Sequence, residues 1–266
     1  MEDLGIHCAD VGLPGSSKRA FDDVLRICQE VVSCKMRIRL ACAGRTVASD
    51  ITPMVEVSQR AGIPVEVYAF IGSSPIRQYC EEWDVDFIAK KSAEAIDVAV
   101  KANLPVCYVT EDTTRSRPDV LTTLFKTAID HGATRLCLSD TVGHATPDGV
   151  RNLIQFTKSV IAGTGAKNIG IDWHGHNDRG FALENAIWAL EFGADRVHAT
   201  ALGIGERVGN AAMELLLLNL KLLGQLPHQD LTKLLEYVET TARAVDWQIP
   251  INYPLAGRDA FRTATG

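Results

Sequence analysis

Seven short runs of strand-forming residues, each followed by a segment of helical period, recur along this chain at intervals of roughly 30 residues. The strand-like runs cover residues 6–11, 36–42, 64–71, 105–110, 135–139, 168–173 and 195–200. Helical patterns follow at 17–32, 51–61, 93–102, 118–131, 147–162, 181–192 and 210–223. Such alternation requires crossover connections, so the strands lie parallel and the helices cover the sheet. Two architectures satisfy this pattern, a (β/α)₈ barrel and an open doubly wound sheet. Polar and glycine-rich residues gather just past many of the strands, at 12–17, 72–74, 111–112, 140–141, 174–176 and 203–207. A barrel brings all those ends to one mouth, whereas an open sheet brings only a few to its switch point. The expected fold is therefore an α/β TIM barrel. Seven strands are visible where eight are needed, and Met1–Gly5 reads as the last turn of a helix preceding a strand. The missing unit is then the first. Residues 1–225 are expected to form barrel units 2–8. Residues 226–266 are expected to form a helical linker and the start of an accessory segment, with a helix over 230–246 and an extended stretch over 249–254.

Composition narrows the functional classes. No apolar run has the length of a membrane span; the longest, 211–223, is broken by Glu214, Asn219 and Lys221. No secretion leader is read at the start. The net charge of −6 argues against a broad nucleic-acid surface. Seven cysteines without a CxxC pair, several inside apolar runs, read as small buried hydrophobes of a cytoplasmic protein.

The segment His174-Gly175-His176-Asn177-Asp178 ends an apolar run. On a strand, side chains at i and i+2 share a face, so the two imidazoles point the same way, roughly 7 Å apart along the backbone. Two such imidazoles suit one divalent cation. The plainer alternative is a polar pair closing a strand before a helix. Asp178 and Arg179 read as helix-start residues. Gly203-x-Gly205 lacks the glycine spacing of a dinucleotide loop and comes late in the chain.

Four motifs together resemble the isopropylmalate and homocitrate synthase family. They are His174–Asp178, Gly203-Ile204-Gly205-Glu206-Arg207-Val208-Gly209-Asn210, Glu111-Asp112-Thr113-Thr114-Arg115-Ser116, and Ser139-Asp140-Thr141-Val142-Gly143-His144-Ala145-Thr146-Pro147. The resemblance runs from Leu4 to Gly266. It implies a metal-dependent (β/α)₈ enzyme of amino-acid (leucine) biosynthesis that condenses acetyl-CoA with a 2-oxo acid, and a homodimer. It implies that His174, His176 and Asn210 hold a divalent metal, Mn²⁺, Mg²⁺ or Zn²⁺, beside an Asp of the family's first strand. This sequence has no segment matching that strand, and the family's further catalytic His falls beyond Gly266. By resemblance the chain reads as lacking pieces at both ends. Thr141 is implied to bind the substrate carboxylate, and Glu206 to orient a ligand or assist proton transfer. Glu111 is implied to reach the mouth as a catalytic residue, or to tie loops together through Arg115, itself implied to bind substrate. Each of the three also has a purely structural reading as a turn or salt-bridged loop residue. Tyr68 and Val109 stand where isopropylmalate synthases often carry His and Ser, which implies a different preferred 2-oxo acid; Asp10 stands where they often carry Glu. Two alternatives remain: a lyase or aldolase on the same barrel, against which the Gly-Glu-Arg-Val-Gly-Asn loop argues, and a non-catalytic remnant with a partial metal site.

Overall fold

Parallel pairing runs without interruption through the sheet in the computed structural model, which describes residues 1–264. The elements in chain order are β1 (Cys8–Asp10), α1 (Lys18–Ser33), β2 (Arg39–Arg45), α2 (Ala48–Ala61), β3 (Val65–Gly72), α3 (Pro75–Glu81), α4 (Val85–Lys101) and β4 (Val106–Glu111). They continue with α5 (Pro118–Asp130), β5 (Arg135–Asp140), α6 (Pro147–Thr164), β6 (Gly170–Gly175), α7 (Ala182–Glu191), β7 (Arg196–Val197), α8 (Met213–Leu222) and α9 (Leu234–Ala244). Strand order follows the sequence from β1 to β7, and every ladder is parallel.

The sheet curls into an incomplete barrel. Arg196 of β7 reaches Glu66 of β3 across the concave face, at 2.8 Å, although the two strands are not neighbours. Among the described residues no ladder joins β7 back to β1. Both edge strands are short, which limits the row of unpaired backbone groups each presents.

Alternation along the strands separates two environments. The outer face buries Leu40, Cys42, Val67, Ala69, Tyr108, Leu136, Leu138, Ile171 and Trp173 against the helices, in one continuous core. The inner face carries Ala41, Tyr68, Cys107 and Cys137, with Cys8, Ala43 and Val109 packed on them. Helix ends follow local chemistry. Ser17 accepts from the Ala20 amide, Pro118 and Pro147 occupy the first helical turn, and Gly62 and Gly165 close α2 and α6 in the left-handed conformation.

Three details differ from the sequence reading. Residues 75–81 form a helix of their own, opened by Ser74 and Pro75. Helix α4 begins at Val85 rather than near 93, because Asp84 accepts the Phe87 amide and starts it a full two turns earlier. Residues 249–254 do not extend away as a linker; Ile249 and Tyr253 fold back onto Leu202, Val238 and Ala242. All seven cysteines are free, and four of them (Cys28, Cys42, Cys107 and Cys137) are buried. Among the described residues no helix is long and apolar enough to cross a membrane.

Candidate metal and substrate site

Strand β6 builds the centre of the site. Asp172 and His174 alternate onto its inner face while Trp173 points outward and is fully buried. His176 follows just past the strand, held by its amide to the Asp140 carbonyl at 3.2 Å. The two imidazoles meet: His174 Nε2 lies 3.1 Å from His176 Nε2, with the rings 75° apart. His176 is 6% exposed, and its Nδ1 is buried without a protein partner.

Burial, reinforced by His198 and His176, lowers the pKa of His174 to about 3. Burial and the Arg207 guanidinium lower that of His176 as well. Both rings therefore stay neutral near pH 7, with lone pairs available.

The glycine-rich loop after β7 is fastened against this pair. His176 and Asn210 form an antiparallel bridge, and the Asn177 amide donates to the Gly209 carbonyl at 2.9 Å. Asn210 Nδ2 donates to the Gly175 carbonyl at 3.1 Å. Its Oδ1 rests over Gly205, where any Cβ would overlap it. Arg207 pairs with Asp178 at 3.2 Å and donates to the Thr141 carbonyl, joining three loops. Glu206 projects from the same loop with its side chain 76% exposed, 3.6 Å from Arg207.

The remaining residues singled out by sequence fall on the rim and the inner wall. Thr141 Oγ1 accepts the Asp112 amide at 2.8 Å. Arg115 makes a two-pronged pair with Asp112, at 2.8 and 2.7 Å, so its guanidinium is engaged within its own loop. Glu111 ends β4, 3.8 Å from Arg77 rather than against Arg115. Val109 is half-buried on the inner face beside Cys137. Tyr68 is buried there too, stacked on His198 at 5.5 Å with its hydroxyl 4.0 Å from Cys8 Sγ. The structure thus brings His174 and His176 together, bridges Asn210 to His176, and ties the Thr141 loop to the Asn210 loop through Arg207. Glu111 and Arg115 occupy the neighbouring loop.

Beneath the imidazoles lies a charged network that the motif reading passed over. Asp172, fully buried, accepts from Arg135 Nε at 2.6 Å, Arg196 Nε at 2.7 Å and His198 Nε2 at 3.2 Å. Arg196 also donates to both Glu66 oxygens, at 2.8 and 3.0 Å. Burial alone would raise the Asp172 pKa, but His198, Arg196 and Arg135 outweigh it and hold the carboxyl well below the usual range. Burial likewise opposes a charge on His198, yet Cys137 and the Asp172 carboxylate outweigh it and its pKa is raised. The signal was present in the sequence. Asp172-Trp173-His174 and Arg196-Val197-His198 each place two polar residues at strand spacing on one face.

Among the described residues no group of three His, Cys, Asp or Glu side chains is spaced to hold a cation. The donor set at the mouth is two neutral imidazoles, with the Asn210 backbone bridged to His176 and its carboxamide against Gly175 and Gly205. That set suits a borderline divalent ion but is short of a full coordination shell by itself.

A family model described as HMGL-like matches residues 1–241. The 2-isopropylmalate synthase of Pyrococcus furiosus is 31% identical over 268 residues, covering 99% of this chain and 52% of that protein. The 2-isopropylmalate synthase of Sediminispirochaeta smaragdinae is 31% identical over 271 residues, covering all of this chain and 53% of that protein. The chain spans about half the length of these curated relatives. Among solved structures, the HMG-CoA lyase of Bacillus subtilis superposes with a TM-score of 0.75 at 20% identity, covering 93% of this chain and 84% of that one. The N-terminal domain of a putative aldolase from Bacteroides vulgatus gives 0.68 at 21% identity, covering 97% and 82%. Likeness at that identity establishes the shared barrel fold.

Proposed function

Because this chain belongs to the HMGL-like family, we propose that it carries the site of a metal-assisted carbon–carbon bond-forming enzyme. In this reading it condenses acetyl-CoA with a 2-oxo acid to give a 2-alkylmalate, as a 2-isopropylmalate synthase-type acyltransferase. The observation that carries the reading is the His174–His176 pair, neutral and 3.1 Å apart, with Asn210 bridged to His176. His174, His176 and Asn210 would hold the cation, Mn²⁺, Mg²⁺ or Zn²⁺, leaving positions for oxygens of the 2-oxo acid. When bound, such an ion polarises a 2-oxo carbonyl toward nucleophilic attack.

The chain's own residues then have distinct tasks. Thr141, whose Oγ1 accepts the Asp112 amide and keeps its own hydroxyl proton to donate, binds and orients the substrate carboxylate in this reading. Glu206, mostly exposed on the loop that carries Asn210, is free to take a proton at the acetyl methyl carbon. Tyr68 and Val109 shape the inner wall against which the side chain of the 2-oxo acid packs. Arg207 ties the Thr141 loop to the Asn210 loop, so the carboxylate site and the cation site keep a fixed separation. Glu111 and Arg115 hold the adjoining loop rather than substrate, through Arg77 and Asp112 respectively.

A second reading has its own support. With no ladder between β7 and β1 among the described residues, part of the wall beside His174 is unpaired. A chain in that state could bind a cation without completing the reaction.

Two measurements separate these readings. Calorimetric titration of Mn²⁺ or Zn²⁺ should show binding that His176→Ala weakens by about 100-fold or more, the usual scale for losing a metal ligand or its support. Release of free CoA thiol from acetyl-CoA should require both the cation and a 2-oxo acid. Binding without thiol release supports the non-catalytic reading, and cleavage of a hydroxyacyl-CoA supports a lyase. Absence of cation binding at the wild-type site overturns all of them.

A further inference from the structure

Glu214 lies in the first turn of α8 with no exposed surface. It has no salt-bridge partner among the described residues. A carboxylate in that position needs donors, since an unpaired buried charge is strongly unfavourable. Two reach it. The Leu202 amide donates to Oε2 at 3.0 Å, and the Tyr253 hydroxyl donates to Oε1. Burial, together with the adjacent carboxylate, pushes the Tyr253 pKa up, so the hydroxyl keeps its proton.

The two donors come from very different places. Leu202 sits at φ 58° and ψ 12°, a left-handed conformation unfavourable for a residue with a branched side chain. It is followed by Gly203 at φ 65°, so the chain makes a tight reversal there. That reversal leads directly to the proposed cation site. The Gly203 carbonyl accepts the Asn210 amide at 2.9 Å, and Asn210 bridges to His176. Tyr253 belongs instead to the turn after α9, where Ile249, Tyr253 and Ala256 pack on Leu202, Val238 and Ala242. One buried carboxylate therefore fastens the C-terminal turn to a strained reversal one hydrogen bond away from Asn210.

We propose that Glu214 and Tyr253 are positioning residues: docking of the 249–257 turn, read through the Glu214 carboxylate, sets the conformation of the 201–210 loop and thereby the place of Asn210 beside His176. Neither residue touches the imidazoles or the rim. If Tyr253 lifts away, Glu214 keeps one donor in an apolar surround, and the Leu202 reversal loses the anchor that offsets its backbone strain. Docking of the turn and order in the loop are then coupled, each favouring the other by the same factor. The loop's order belongs to the apo protein, whereas its consequence for cation binding rests on the function proposed above.

The test uses the full chain with Tyr253→Phe, which deletes only the hydroxyl. Amide hydrogen exchange is followed without added metal. Leu202 through Asn210 should exchange roughly tenfold faster or more, the scale expected on losing a hydrogen bond to a charged group. Amides of β3, β4 and β5 should be unchanged. Glu214→Gln, whose amide oxygen can still accept the Leu202 amide while its NH₂ donates to the Tyr253 hydroxyl oxygen, should give a smaller effect at the same amides. Mn²⁺ affinity of Tyr253→Phe should fall by a similar factor, with the unfolding midpoint lowered by only several degrees, as expected for one lost hydrogen bond to a buried carboxylate. Wild-type exchange over 201–210 in Tyr253→Phe overturns the proposal, as does an increase shared equally by β3 to β5. Failure of the wild-type chain to bind Mn²⁺ would overturn the proposed function, and the exchange comparison would still decide this inference.

Discussion

Replacing Arg196 with methionine removes the guanidinium that joins β7 to Glu66 of β3 across the concave face of the sheet. Arg196 is 6% exposed, donates to both Glu66 oxygens at 2.8 and 3.0 Å, and meets Asp172 through Nε at 2.7 Å. Its guanidinium also lies 5.5 Å over the Tyr68 ring. Methionine keeps much of the volume but none of the donors. Asp172 would still hold Arg135 and His198, so the larger loss falls on Glu66, whose remaining side-chain contact is the Cys8 thiol at 3.8 Å. Removing one partner of a buried ion pair costs about 3–5 kcal/mol. Against a domain stability of about 5–15 kcal/mol that is a large fraction. At about 2–4 °C per kcal/mol for a chain of this size, the unfolding midpoint should fall by about 6–20 °C. Urea unfolding followed by far-UV circular dichroism measures this directly, provided the slope with denaturant stays constant. Because the cost comes from a stranded carboxylate, Glu66→Leu combined with Arg196→Met should be clearly more stable than Arg196→Met alone. A loss below about 1 kcal/mol in the single variant, or no recovery in the double, would refute the view that this network holds β7 to β3.

The His174 pKa of about 3 gives a pH dependence with a definite sign. A histidine whose folded pKa lies below its unfolded value of about 6.5 contributes stability above that value and loses it as pH falls toward the folded pKa, with a slope near 1.4 kcal/mol per pH unit. Metal-free wild type should therefore lose stability between about pH 6.5 and 3, and His174→Gln should flatten that slope; equal slopes in urea titrations of the two would contradict the assignment. Val109→Ser should shift the ratio of kcat/KM values between 2-oxo acids with branched and with short side chains by about tenfold, the effect of a methyl-sized change in a pocket wall. An unchanged ratio would remove Val109 from the wall.

The barrel was legible in the sequence because both of its causes are local. A strand buried on its outer face reads as β-branched or aliphatic residues at every second position, as in Val65-Glu66-Val67 and Leu136-Cys137-Leu138. The Ser17 cap and prolines such as Pro118 set helix starts within a few residues, whereas the Asp84 cap was passed over and α4 begins two turns before its expected start. The short helix α3 escaped because its sequence, Pro75-Ile76-Arg77-Gln78-Tyr79-Cys80-Glu81, buries no residue and so shows no apolar stripe. The geometry of the candidate site was legible where its residues lie close in sequence. His174 and His176 share a face by strand geometry, and the glycine pattern marked the loop that delivers Asn210.

What stayed hidden is assembled across the curl of the sheet. Glu66, Asp172 and Arg196 come from β3, β6 and β7, and no spacing rule joins residues 130 apart. Each alone reads as an interruption of an apolar strand, and only closure of the concave face shows that the two carboxylates are matched by Arg196 together with Arg135. The same logic explains why the His174 pKa is lowered while that of His198 is raised. His198 shares the Asp172 carboxylate at 3.2 Å, whereas His174, two residues further along β6, faces other imidazoles. A pair of neutral donors above a compensated layer of charge is an environment that favours taking up a cation over taking up a proton. That environment is set by the tertiary pairing of Arg196, and the His-Gly-His motif by itself does not provide it.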